Sequence, residues 1–174
     1  MNMKQLNGIV CIEAKKQGLP PLLVKSVCFC ESSYAERAYR YEPAFWKKYL
    51  AENPEWKDKD PAVVSASYGL MQLMWTTAWS MGFRGTQDDL WNPQKNVELG
   101  TRLLKMLIDK VFEKVNLRQC AWLSPGDIAL ARYNGGRWKN PDEFGELRNL
   151  KYVTRVRAKW EELKKAGDNP CVQA

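Results

Sequence analysis

Histidine is absent from this chain. Its absence excludes Ser-His-Asp and Cys-His nucleophile systems and every histidine-ligated zinc site, so acid–base chemistry must rest on carboxylates, tyrosine, lysine or cysteine. Long apolar runs are lacking too. No stretch approaches the roughly 18 apolar residues of a transmembrane helix, so membrane insertion is not expected. The opening Met1–Val10 holds Lys4 but neither an extended apolar core nor a small-residue cleavage site, and a conventional signal peptide is not expected either. Cysteine is scarce and lacks a framework: Cys11, Cys28, Cys30, Cys120 and Cys171 are odd in number and contain no C-x-x-C. A disulfide scaffold is therefore not indicated, although a single bridge, for example to Cys171, stays open. Cys28 and Cys30 read as buried thiols that behave as small hydrophobes. No metal or organic cofactor is expected.

What is present describes a globular chain. Its 174 residues suit one domain with a real core, and hydrophobic residues at 45% against 27% charged exclude a disordered composition. The net charge of +7 favours a polyanionic partner, whether nucleic acid, anionic membrane or anionic bacterial wall, or simply coats solvated helix faces.

Helical spacing dominates. Leu6, Ile9, Val10 and Ala14 mark a first helix that stops at Gly18, and Pro20-Pro21 opens a second, deep one through Leu22, Leu23, Val24, Val27, Cys28 and Phe29. Glu31 leaves that helix at the edge of the core. A carboxyl there is costly to bury charged, so its pKa should rise, and Glu31 is the candidate general acid. Residues 34–66 are rich in aromatics, with a short helix after Pro43 and an exposed loop over 53–61. Sugars stack their C–H faces on aromatic rings, so two or three of these residues are expected to line a cleft and the rest to pack. A helix is expected from Gly69 to Phe83, another after Asn92-Pro93, another from Ser124-Pro125 to Asn134-Gly135-Gly136, and a last over about 150–166, with a poorly ordered tail beyond. Gly100 is expected to permit a close helix crossing.

Four ordered pieces stand out: Glu31-Ser32, Gly69-Leu70-Met71-Gln72, Ala129-Leu130-Ala131-Arg132-Tyr133-Asn134-Gly135-Gly136 and Tyr152-Val153. Together they resemble the soluble lytic transglycosylase (SLT) family of lysozyme-like enzymes, whose patterns are E-S, G-L-M-Q, A-Y-N-G-G and a late Y-V. The resemblance implies an all-α, predominantly helical, single compact domain with a substrate cleft, spanning 1–174 and carrying a family-variable insertion at 34–66. It implies cleavage of the β-1,4 bond between N-acetylmuramic acid and N-acetylglucosamine in peptidoglycan glycan strands, with Glu31 acting as acid, then base, and a 1,6-anhydro end as product. Ser32, Met71, Gln72, Tyr133, Asn134 and Tyr152 form the implied substrate site: Ser32 organises the turn, Met71 and Gln72 face the sugars, Tyr133 and Asn134 make the cleft wall, and Tyr152 positions Glu31.

Two departures matter. The interval before Gly69 is longer than usual, and Arg132 stands where alanine is more typical. Within that interval Glu36 and Glu42 are candidate second carboxylates for a goose-type, water-consuming hydrolase. The rival of another class is a basic binding protein without catalysis. The expected partner is peptidoglycan, with no nucleic acid and no membrane insertion, for a monomer acting on the bacterial wall. Without a leader, its export would fall to phage lysis, virion delivery or a secretion system.

Overall fold

The computed structural model describes residues 1–114, 124–135 and 149–172. Helix α1 (Met3–Lys16) begins in a capping box, Asn2 Oδ1 accepting from the Gln5 amide while Gln5 reaches back to the Asn2 amide. Gly18, at φ +65°, turns the chain into α2 (Pro21–Ser32), whose near-continuous apolarity buries Val24, Val27 and Cys28 completely. The long α6 (Pro93–Lys114) starts on Asn92, which accepts from the Lys95 amide. Helix α7 (Pro125–Gly135) starts on a reciprocal Ser124–Asp127 cap, and α8 (Leu150–Lys165) closes the set. Leu6, Val10, Val24, Val27, Leu104, Ile128 and Val153 merge these helices into one core. The periodic apolar faces therefore become the helices that pack, as amphipathic spacing requires.

Between α2 and α6 lies what helical periodicity did not announce. Strand β1 (Tyr39–Tyr41), a three-residue α3 (Pro43–Phe45), a π-helical turn (Trp46–Leu50) and α4 (Pro61–Val64) lead to β2 (Ala66–Tyr68) and β3 (Leu73–Met74). The strands form one antiparallel sheet, β1-β2-β3, with Tyr39 opposite Tyr68 and Ser67 opposite Met74. The fold is predominantly helical, as expected, and this small sheet is its one addition among the described residues. The expected Gly69–Phe83 helix is likewise a hairpin turn followed by α5 (Trp75–Ser80). Gly69 and Gln72 sit at φ +71° and +46°, left-handed values that interrupt a right-handed helix. The stretch expected as an exposed loop over 53–61 contributes a buried Trp56, which packs with Leu50 and Val64.

The described part of the tail is held, not loose. Cys11 and Cys171 form a disulfide with Cα atoms 5.1 Å apart, and Lys25, 1% exposed on α2, pairs with Asp168 at 2.5 Å. Cys120 and Gly136 lie outside the described residues. Because the Lys25 ammonium has left water, Asp168→Asn should cost about 3 kcal/mol, the lower end for breaking a buried pair, since Asp168 is partly exposed. Urea titration checks this: the midpoint should fall with an unchanged slope, and an unmoved midpoint would mean that the pair contributes nothing.

Candidate active site

Helix α2 ends because Ser33 and Tyr34 both turn left-handed, at φ +54° and +66°. Their amides donate back to Phe29 and Cys28 carbonyls, which leaves Glu31 in the last turn, at the mouth of the core. Ser32 then fixes that helix end to the hairpin turn. Its hydroxyl donates to Cys28 O at 2.9 Å and to Leu70 O at 2.8 Å.

The Gly69–Gln72 turn is gripped from two more sides. Asn96 on α6, wholly buried, accepts from the Met71 amide at 2.8 Å and donates to Tyr68 O and Leu90 O at 2.8 and 2.9 Å. Tyr133 on α7 donates its hydroxyl to Met71 O at 2.8 Å. Three helices thus lock one turn beside Glu31. Each buried backbone group left unpaired would cost about 1–3 kcal/mol, so Asn96 is a strong fastener. Gly69 has no room for a side chain, because a Cβ there would lie 2.6 Å from Asn96 Nδ2 and 2.7 Å from Leu90 O. Sequence reasoning missed Asn96; its one signal is an amide beside Val97 on an otherwise packing helix.

Glu31, Gln72, Tyr133 and Asn134 line a cleft of about 500 Å³, together with Arg40, Glu42 and Arg132. Gln72 donates its amide nitrogen to Gly69 O at 3.1 Å and Ala38 O at 3.2 Å, so its carbonyl oxygen is the part suited to a substrate N–H. Two of the expected residues are not part of that lining. Met71, expected as apolar lining, is fully buried; it packs where a Gly100 Cβ would come within 2.5 Å of its sulfur, so Gly100 permits a close approach of the turn, not of another helix. Ser32, expected at the substrate, lies outside the lining, its hydroxyl directed at the two carbonyls. Of the two proposed second carboxylates, Glu42 lines the cleft and pairs with Arg40 at 2.5 Å, whereas Glu36 does not reach the lining.

Burial pushes the Glu31 carboxyl above its usual range. Tyr152 pulls it down, as do Arg40 and Arg155, and Glu42 pushes it up. Tyr152, 5% exposed on α8, has its own acidity suppressed by burial first and by the Glu31 charge next. Its hydroxyl is close enough to Glu31 for each to shift the other, yet lacks the geometry of a formed hydrogen bond to any described residue. The phenol is a donor held beside the carboxyl, placed to favour its ionised form. Tyr133 is likewise kept neutral by burial and by Glu31, which suits a hydroxyl whose task is to donate. Among the described residues no cluster of metal-ligating side chains occurs.

An acid at the end of a buried helix, a locked Gly-Leu-Met-Gln turn and a tyrosine-asparagine wall thus meet at one cleft. The transglycosylase SLT domain family matches residues 9–153. The chain belongs to that family. No solved structure matches the chain. Transglycosylase SLT domains are lysozyme-like and generally lytic transglycosylases acting on the peptidoglycan of the cell wall, and the matched span takes in Glu31, the hairpin turn, Tyr133-Asn134 and Tyr152.

Proposed function

We propose that this SLT-family chain is a peptidoglycan lytic transglycosylase that cleaves between N-acetylmuramic acid and N-acetylglucosamine with Glu31 as its single acid and base. The observation that carries the reading is the Glu31 carboxyl on the cleft wall, where burial raises its pKa against the pull of Tyr152, Arg40 and Arg155. Protonated Glu31 donates to the glycosidic oxygen as the bond to the anomeric carbon breaks. The substrate's own 2-acetamido oxygen stabilises the oxocarbenium-like charge. Glu31, now ionised, takes the proton of the C6 hydroxyl, whose oxygen attacks the anomeric carbon and closes the 1,6-anhydro ring. No water enters, and the carboxyl ends protonated for the next cycle. Gln72 and Asn134 orient the N-acetyl groups, and Tyr152 positions the acid. The whole chain as one lysozyme-like domain, with 34–66 as a family-variable insertion, is part of the same proposal.

A second reading has one observation in its favour: Glu42 lines the same cleft and acts electrostatically on Glu31. There it would activate water for a hydrolase, in the manner of paired carboxylates. Mass spectrometry of digested peptidoglycan separates the two, since anhydro ends are one water lighter than reducing ends. Reducing ends alone would overturn the transglycosylase.

Tyr152→Phe tests positioning. Because Tyr152 lowers the Glu31 pKa, its removal should move the alkaline limb of the pH–rate profile upward. The rate should fall about tenfold through lost orientation. An unmoved limb would mean that Tyr152 only packs.

A further inference from the structure

Among the described residues, two aromatic rings line the cleft and take no part in the chemistry above: Phe45 and Tyr49. They stand four residues apart across the junction of α3 and the π-helical turn, so both project from one side of a short helical stretch. Their centroids lie 4.9 Å apart with planes at 57°. Behind them Leu50, Trp56 and Val64 form a separate small core, against which Trp75 and Trp79 pack. Trp56 meets Trp75 and Trp79 edge-on, at 5.7 and 5.9 Å. That backing holds the Phe45–Tyr49 pair in place, while both rings stay half-buried at the cleft. The Lys48 ammonium lies over the Tyr49 ring, 5.5 Å from its centroid. Leu103 and Leu107 of α6 also line this cleft. An apolar lining beside charged groups suits an amphipathic ring with one C–H face and a rim of hydroxyls. Single π-helical turns also recur at functional positions.

We propose that Phe45 and Tyr49 form a sugar-binding subsite, a stacking platform that takes one pyranose ring of the strand away from the bond being cleaved. The inference rests on the glycan-cleft reading given under the proposed function. It makes length of strand, read by residues of the 34–66 segment, a determinant of specificity. Leucine at either position keeps apolar volume and removes the aromatic face.

Kinetics of Phe45→Leu and Tyr49→Leu on purified glycan strands test it, with Tyr49→Phe as the conservative control. Each leucine variant should raise KM about tenfold on long strands, with a smaller effect on kcat, and Tyr49→Phe should restore KM. Equal KM for all variants, with the wild type cleaving, overturns the platform and leaves the proposed function standing. No cleavage of strands by the wild type overturns both. A second measurement does not depend on the leucine variants folding: N-acetylglucosamine tetrasaccharide is titrated into Glu31→Gln while the ring protons of Phe45 and Tyr49 are followed by NMR. Shifts of both rings on binding support the subsite; bound sugar with both rings unshifted overturns it.

Discussion

Glu31→Gln should lower peptidoglycan cleavage on the order of 10²–10⁴-fold, the range for losing a general acid, and at the same time make the protein more stable near neutral pH. Both effects come from one cause. Burial raises the Glu31 pKa, so the folded protein keeps this proton at pH values where the unfolded chain has already released it. Folding then takes up a proton, and stability falls as pH rises from the ordinary carboxylate pKa through the raised one. Glutamine does not titrate. The melting temperature of the variant should therefore gain on the wild type across that interval, reach its full advantage above it, and show none below it. Thermal melts across pH, run beside the activity assay, check the pair of effects. Loss of activity with a lowered melting temperature would mean that the carboxylate is structural, full cleavage by the variant would remove Glu31 from the role of acid, and no cleavage by the wild type would favour the basic binding protein.

Opening the disulfide should have the largest effect on stability. Cys11 and Cys171 are 160 residues apart in sequence, so the bridge removes a large share of the unfolded chain's freedom. The chain-entropy relation gives about 5 kcal/mol for such a loop, and removed native bridges typically cost about 2–5 kcal/mol. Cys11→Ser should lower the melting temperature by roughly 10 °C. The loss should be shared with the neighbouring ion pair, since Asp168 lies three residues before Cys171 and holds Lys25 of the helix that carries Glu31. Cys11→Ser together with Asp168→Asn should therefore cost less than the sum of the single changes, because either one releases the tail. A melting temperature unchanged by Cys11→Ser, or by dithiothreitol, would show that the bridge adds nothing.

The helices that pack were legible in the sequence because each couples a start signal to a spaced apolar face. Pro21, Pro93 and Pro125 each open one, and Gly18 follows the end of another. The hairpin was not legible. Leu70, Met71, Leu73 and Met74 are too short an apolar run to separate strand from helix, and the left-handed Gln72 carries no marker in a residue type that rarely adopts it. The same misreading displaced Met71. In a helix it would face the sugars; in the turn its amide and carbonyl are taken by Asn96 and Tyr133 and its side chain enters the core. Glu31 was legible as a carboxylate ending an apolar helix. Its support was less so, because Ser32, Asn96 and Tyr133 converge on the hairpin only through tertiary packing. Phe45 and Tyr49 were among many aromatics in their segment, and only the fold separates those at the cleft from Trp56 in the core.

Ring closure by the substrate's own hydroxyl is tested most directly by digesting peptidoglycan in water enriched with oxygen-18. The account predicts anhydro ends that carry no heavy oxygen, and far fewer of these products with Glu31→Gln. Heavy oxygen at the new anomeric carbons would contradict it.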